Sequence, residues 1–147
     1  MTTAARLPDW HDHARLFNSA LAQGSESPRG WYNAGNALLA AGDAAAAAHV
    51  LEGAVARAPS DVAALTNLGV ARQRIGDLAG ADVAYARAAQ LTPNDALLWE
   101  NIGTLAVQRR DAVAARDAFA RAVALVPSRE RARRALTALD AALGATP

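Results

Sequence analysis

Large apolar residues, small residues and prolines recur along this chain every 34 residues. Each copy opens with a large apolar residue that is followed four positions later by a glycine, and these pairs are Trp31 and Gly35, Leu65 and Gly69, and Trp99 and Gly103. Each copy continues through alanine, a bulky apolar residue and alanine to a final proline, namely Ala47, Leu51, Ala54 and Pro59, then Ala81, Tyr85, Ala88 and Pro93, then Ala115, Phe119, Ala122 and Pro127. A repeat of this length with apolar residues three and four positions apart predicts two α-helices per copy, stacked so that neighbouring copies share a core.

The small residues predict how closely the two helices of a copy approach. Gly35 lies on the first helix where a larger side chain would hold the second helix away, and we expect Ala47 to face it from the other side. Leu51 is expected to fill the space towards the next copy. Because one helix pair cannot bury its apolar face alone, stacking is the predicted source of stability.

Turn and capping residues stand where the period predicts breaks between helices. Gly42-Asp43 and Gly76-Asp77 offer a left-handed glycine at a helix end and an aspartate to cap the next helix. Ser27 is expected to cap the helix that begins at Pro28. The third copy has Arg110-Asp111 instead, so its turn lacks the glycine and is expected to be strained or differently shaped. Asp61 and Asp95 are the predicted caps of the two later copies.

With these residues in place, the chain resembles the tetratricopeptide repeat (TPR) family, whose 34-residue pattern W-x2-L-G-x2-Y, A-x3-F, A, P it matches three times in succession. The resemblance implies an all-α fold, a right-handed α-solenoid of three helix hairpins over residues 28–61, 62–95 and 96–129. In the same register, residues 10–23 are expected to form an N-terminal cap helix and residues 130–143 a C-terminal capping helix. The whole chain, residues 1–147, is then expected to be a single TPR domain.

Composition narrows the class of protein. The chain is 52% hydrophobic, without a run of 18 apolar residues, and its first nine residues lack the charged and apolar regions of a secretory signal. We therefore expect a cytoplasmic protein without membrane insertion, and the absence of cysteine agrees with that compartment. The formal net charge of +1 is too small to attract nucleic acid.

Candidate catalytic chemistry is scarce. The only histidines are His11, His13 and His49, and no group of His, Asp and Glu has the spacing of a metal site. The glycines recur at packing and turn positions, so none forms a phosphate-binding loop. We expect no enzyme activity, no catalytic residue and no metal or other cofactor.

Asparagine is the polar residue that repeats. Asn33, Asn67 and Asn101 occupy one position in all three copies, on the helix face that lines the concave groove of TPR arrays. The resemblance implies a ladder of side-chain amides that hold the backbone of an extended peptide, since each amide carries both a donor and an acceptor. The alternative is that these asparagines only bridge adjacent helices.

Further residues are expected to line the same groove and to contact the side chains of a peptide. They are Tyr32, Asn36, Leu39, Val70, Arg74, Leu97 and Val107, in a nearly neutral setting that also includes Glu100. Asn36 and Asn67 match asparagines of the TPR modules that bind acidic C-terminal tails of chaperones. Tyr32, Leu97 and Asn101 stand where those modules have cations, so recognition of a free C-terminal carboxylate is not expected.

Arg72 occupies a position at which the pattern usually has tyrosine. Its guanidinium is expected either to extend to the groove or to find a buried acceptor.

The function predicted from the sequence is a non-enzymatic scaffold that binds an extended segment of another protein in its concave groove. Two alternatives stay open at this stage. One is a small TPR chaperone of the bacterial type III secretion kind, and the other is an assembly adaptor that self-associates, as a weak homo-oligomer, through its convex face or its cap helices.

Overall fold

The computed structural model describes residues 27–144, and this part of the chain contains seven α-helices and no β-strand. The helices are α1 (Pro28–Ala40), α2 (Ala44–Arg57), α3 (Val62–Arg74), α4 (Leu78–Leu91), α5 (Ala96–Gln108), α6 (Ala112–Leu125) and α7 (Glu130–Gly144). The predicted N-terminal cap helix over residues 10–23 lies outside the described residues.

Aspartates begin the helices from α2 to α6. Oδ1 of each aspartate accepts a hydrogen bond from a backbone N–H in the first turn, at 2.9 to 3.1 Å, and the five residues are Asp43, Asp61, Asp77, Asp95 and Asp111. Ser27 differs from the prediction, because its side chain makes no capping hydrogen bond to α1. Its backbone carbonyl accepts from Gly30 instead, at 3.0 Å, and Pro28 stands at the first position of α1 as predicted.

The three turns inside the helix pairs have the same shape although only two contain glycine. Gly42 and Gly76 adopt φ values of 86° and 85°, and Arg110 adopts a φ of 60° at the equivalent position. The N–H of Arg110 donates to the Val107 carbonyl at 3.0 Å, which matches the bond from Gly42 to Leu39 at 3.1 Å. Of the two outcomes expected for the third turn, the strained backbone is the one observed, since a non-glycine residue occupies the left-handed region.

The helices pack in sequence order, and the first helices of successive pairs, α1, α3 and α5, also contact one another. Buried apolar side chains form two clusters. The first cluster runs from Leu38 on α1 to Leu98 and Leu105 on α5, and the second runs from Ala106 on α5 to Ala132 on α7. The predicted fold class, an all-α solenoid of helix hairpins, is therefore confirmed.

The packing of the glycines differs from the expectation in one respect. A Cβ added at Gly35 would lie 2.5 Å from Cγ of Leu51, and one at Gly103 would lie 2.9 Å from the Phe119 ring. A Cβ at Gly69 would likewise overlap the ring of Tyr85. Each glycine thus leaves room for the bulky residue of the second helix within its own pair, whereas Leu51 was expected to fill the space towards the next copy.

Arg72 finds acceptors, but they are an exposed carboxylate and a partly buried carbonyl and not the buried acceptor that was expected. Its Nη2 donates to Oε1 of Glu52 on α2 at 2.8 Å, and its Nη1 donates to the carbonyl of Gly80 on α4 at 3.1 Å. Oδ2 of Asp77 lies 3.8 Å from Nε, which is buried and makes no hydrogen bond to a described residue. The guanidinium therefore ties the second helix of the first pair to both ends of the turn between α3 and α4.

Candidate functional site

The first helices α1, α3 and α5 form a continuous surface, which we call the inner wall. Side chains join the adjacent helices across it. Asn67 Nδ2 lies 3.4 Å from Asn36 Oδ1, and Arg74 Nη1 donates to the Leu39 carbonyl at 3.1 Å. Between α3 and α5, Gln73 Nε2 donates to Oε1 of Gln108 at 2.8 Å. The wall is thus held together by polar side chains at its surface as well as by the apolar core behind it.

The three repeated asparagines are all on α1, α3 and α5, and none is buried. Asn33 is exposed, and Asn67 and Asn101 are partly exposed. Asn67 makes the long contact with Asn36 described above, whereas Asn33 and Asn101 make no hydrogen bond to another described residue. The amide groups of Asn33 and Asn101 are therefore available to a ligand without loss of a bond inside the described part of the protein.

The other predicted groove residues differ in accessibility. Leu97 and Val107 are each 50% exposed, while Tyr32 and Val70 are half-buried and pack against the first cluster. Leu39 is only 8% exposed and belongs to that cluster, so little of its side chain is left for the predicted contact with a ligand. It is buried because it lies near the end of α1, where α3 and the second helix of its own pair meet.

Arg74 is exposed and one of its guanidinium nitrogens is already used by the Leu39 carbonyl. It has no acidic partner among the described residues. Asn36 is exposed, and its Oδ1 is the acceptor for Asn67. Both residues are on the inner wall, and both keep further donors free for a ligand.

A chain of hydrogen bonds connects the core to this wall. The Tyr85 hydroxyl, on α4, donates to Oε1 of Gln73 at 3.0 Å, and Gln73 in turn donates to Gln108. Burial raises the pKa of Tyr85 well above its usual range, and the nearby charge of Arg74 opposes this only in part. Tyr85 is therefore a neutral donor at any physiological pH, which orients the Gln73 amide towards α5.

Glu100 departs from the expectation that it contributes to an open groove. It is 5% exposed, and its Oε2 accepts from Arg129 Nε at 2.7 Å while Arg131 Nε lies 3.6 Å from Oε1. Both arginines come from the segment that begins α7, 29 and 31 residues further along the chain. The helical period gives no sign of this pairing, because it depends on where the last turn brings Arg129.

Residues 27–144 contain neither a cluster of metal ligands nor a helix that could span a membrane. No three His, Asp or Glu side chains come together there in a way that could hold a metal ion. His11 and His13 lie outside the described residues. No helix of the described part has the length and apolar character needed to span a bilayer.

Solved structures with the same fold are numerous. The chain is similar to MamA with a TM-score of 0.83 and 19% identity, over 91% of this chain and 80% of that one. It is similar to the type III secretion chaperone SycD of Yersinia enterocolitica, solved with a peptide of the translocator YopD, with a TM-score of 0.73 and 17% identity over 77% of this chain and 92% of that one. It is also similar to the first TPR of Spaghetti (RPAP3) bound to an HSP90 peptide, with a TM-score of 0.77 and 19% identity over 80% and 94% of the two chains. At these identities the likeness establishes the fold alone.

Comparison of sequences adds the family. No curated protein is significantly similar to this chain in sequence. The family model described as Tetratricopeptide repeat matches residues 4–62, 32–96 and 66–130, which overlap to span most of the chain. This match agrees with the 34-residue pattern, with the packing of a glycine against a bulky side chain in each helix pair and with the stacked first helices. This chain therefore belongs to the tetratricopeptide repeat family.

Proposed function

We propose that this protein is a non-enzymatic scaffold that binds an extended peptide segment of a partner protein along the inner wall, and that Asn33, Asn67 and Asn101 hold the backbone of that segment. The observation that carries the proposal is the accessibility of the three amides on one continuous surface of α1, α3 and α5. Two proteins of the same fold were solved with peptides, SycD with a peptide of YopD and the TPR of Spaghetti with an HSP90 peptide.

The spacing of the helices suits an extended ligand. Packed neighbouring helices lie about 8–10 Å apart, and an extended chain advances about 3.3 Å per residue. Successive asparagines then meet about every third residue of a peptide that crosses the helices. An asparagine side chain can donate to a peptide carbonyl and accept from a peptide N–H at once, so the contact is independent of the peptide's sequence.

Specificity for one segment is assigned to the side chains around the asparagines. Leu97 and Val107, each half exposed, offer apolar contact surface on α5, the helix that carries the third asparagine. Tyr32 and Val70 offer smaller exposed surfaces nearer the first and second. Burial of such surfaces contributes roughly 25 cal/mol per Å2 of apolar area removed from water. Apolar side chains of the peptide are therefore the expected partners of this part of the wall.

The competing role of the asparagines is to bridge adjacent helices. Only Asn67 has such a contact, and its length of 3.4 Å from Asn36 is at the limit for a hydrogen bond. Asn33 and Asn101 have no equivalent contact with a described residue. A purely structural role would leave two of the three repeated positions without a function, which favours the ligand-binding role.

The test replaces all three asparagines with alanine in the full chain. Peptides are first selected from a random dodecapeptide library displayed on phage, and the strongest binder is synthesised with a fluorescent label. We expect the triple variant to melt within a few degrees of the unchanged protein and to bind this peptide at least tenfold more weakly, a loss of about 1.4 kcal/mol.

The control is Gln90→Ala, which removes an exposed amide from α4, away from the inner wall. It should leave both the melting temperature and the affinity unchanged. Equal affinity of the triple variant and the unchanged protein, or collapse of its fold, would refute the backbone-holding role of the asparagines.

A second candidate function is that of a secretion-type chaperone. The observation that favours it is the match to SycD over 92% of that chain, which means that the two are close in size as well as in fold. Deletion of this protein in its host should then destabilise one dominant secreted client, and quantitative proteomics of the deletion strain would measure this. A deletion strain with no depleted secreted protein would exclude the chaperone role.

A further inference from the structure

A cleft of about 660 Å3 opens at the edge of the array, between the turn that joins α4 to α5 and the turn that joins α6 to α7. Three large and exposed apolar side chains line it, namely Leu91, Leu97 and Val126, which are 46%, 50% and 38% exposed. Arg129 forms part of its wall, together with the polar residues Asn94 and Asp95. We call it the edge cleft. Of its residues, Ala96 and Leu97 are on α5, so the cleft adjoins the inner wall at Leu97, and none of the three asparagines lines it.

The repeat itself supplies a comparison for this composition. Each residue of the cleft has an equivalent 34 positions earlier in the chain. Leu91, Leu97, Val126 and Arg129 correspond in this way to Arg57, Ala63, Thr92 and Asp95. Polar or small residues therefore satisfy the scaffold at this place. The edge cleft instead has three large apolar side chains, each more than a third exposed. The fold does not need them at these positions, and their exposure to water is unfavourable. A concave site lined by apolar side chains and a few polar groups is the form in which proteins take up an apolar group of a ligand.

The charges around the cleft select the partner. Glu100 is buried under Arg129 and Arg131, so two guanidinium groups share one carboxylate. Arg131 is 71% exposed and lies 3.6 Å from Glu100, which leaves its donors free. Two other carboxylates are nearby in the chain: Asp95 accepts two backbone N–H groups at the start of α5, and Glu130 pairs with Arg134. An incoming anion thus finds unused donors here, whereas an incoming cation finds all three carboxylates engaged.

From these contacts we infer that the edge cleft binds a large apolar side chain from a segment of a partner protein, and that an acidic side chain adjacent to it in that segment contacts Arg129 and Arg131. The inference rests on the proposed function, since it assigns the partner's chemistry at a second point of the same peptide-binding scaffold. The apolar side chain supplies most of the affinity, and the acidic one selects among apolar segments.

The test uses dodecapeptides selected from a random phage library on the full chain. The selected sequences are expected to place Leu, Phe, Met or Trp within two residues of Asp or Glu. The double variant Leu91→Gln with Val126→Thr should bind the best peptide at least tenfold more weakly. Thr92 already occupies the position of Val126 in the preceding repeat, with φ and ψ of −134° and 76° against −137° and 91°, so the fold tolerates the change.

Charge is tested by Arg131→Gln, which keeps the buried bond between Arg129 and Glu100. This variant should bind about three- to fivefold more weakly. Raising NaCl from about 50 mM to about 500 mM should weaken binding by the unchanged protein more than binding by this variant. The matched control is Val113→Gln, because Val113 is 60% exposed on α6 away from the cleft, and it should not alter the affinity.

The outcomes separate this inference from the proposed function. Loss of binding in the triple asparagine variant with unchanged binding in the Leu91, Val126 variant would keep the proposed function and overturn the edge cleft. Unchanged binding in both would overturn both. A library that yields no binding peptide, or peptides without the paired apolar and acidic residues, would also overturn the inference. The inference would also be overturned if light scattering showed a dimer of the unchanged protein and a monomer of the double variant, since the occupant of the cleft would then be a second copy of this chain.

Discussion

Arg110 adopts a left-handed backbone conformation at a position where the other two copies have glycine. Its φ is 60°, and the equivalent residues are Gly42 and Gly76. All three turns close with the same pair of hydrogen bonds, so the shape of the turn is set by the helices and not by the residue. Replacing Arg110 with glycine should therefore preserve the turn and remove its strain.

The expected gain follows from two opposing terms. A non-glycine residue in the left-handed region costs about 1–2 kcal/mol. Glycine also increases the conformational entropy of the unfolded chain, which offsets about 0.4–1 kcal/mol of the gain. Arg110 is exposed and its side chain makes no hydrogen bond or ion pair with a described residue, so no contact is lost. The net stabilisation should be about 0.5–1 kcal/mol.

Thermal and urea denaturation followed by circular dichroism would measure this gain. At about 2.1 cal/mol/K per residue, the unfolding entropy of a chain of this length converts the gain into a rise of about 2–3 °C in melting temperature. The reverse change, Gly76→Arg, should lower the melting temperature by a similar amount. The control is Arg109→Gly, one residue earlier, where φ is −77° and the side chain pairs with Asp82 at 2.8 Å.

Arg109→Gly should destabilise the protein by about 1 kcal/mol, because glycine gains nothing at a right-handed position. The reasoning would be refuted if Arg110→Gly lowered the melting temperature, or if the two neighbouring glycine variants behaved alike.

Two further changes test the core. Because the folded pKa of Tyr85 is raised above the unfolded value near 10, its contribution to stability is complete below about pH 10 and is lost at higher pH, by about 1.4 kcal/mol per pH unit. Urea denaturation from pH 8 to 11.5 should show this loss of stability in the unchanged protein and a smaller loss in Tyr85→Phe. At pH 8 the variant should be less stable by about 1 kcal/mol, because it lacks the hydrogen bond to Gln73. Parallel pH profiles of the two proteins would contradict the assignment. Gly69→Ala should cost about 1–3 kcal/mol, because the added methyl group overlaps the Tyr85 ring, while Gly144→Ala, at an open position, should be neutral in the same assay.

Much of the fold could be predicted from the sequence because its signals are local. An aspartate before an apolar run caps the helix that follows whatever the rest of the chain does, and Asp43, Asp61 and Asp95 behave in this way. The 34-residue period likewise needs only neighbouring repeats to stack. Ser27 is an exception, because the first turn of α1 uses its backbone carbonyl and leaves the hydroxyl unused.

The candidate site was less predictable because burial depends on partners far along the chain. The helical register places Glu100 and Leu39 on the face of the groove, but the arginines that start α7 cover the former and the packing at the end of α1 encloses the latter. The edge cleft did have a signal in the sequence. Leu97 and Val126 stand where the preceding repeat has Ala63 and Thr92, and a comparison of each residue with its counterpart 34 positions earlier would have found them, whereas Leu91 has a matching leucine, Leu125, in the next copy.

The two apolar clusters meet along α5, which contributes Leu98 and Leu105 to one and Ala106 to the other. Packing between the two halves of the array therefore passes largely through this single helix. A peptide that contacts Asn101 and Leu97 would clamp that shared element from outside. Occupancy would then reinforce both halves at once, and protection from hydrogen exchange would spread well beyond the residues that the peptide touches.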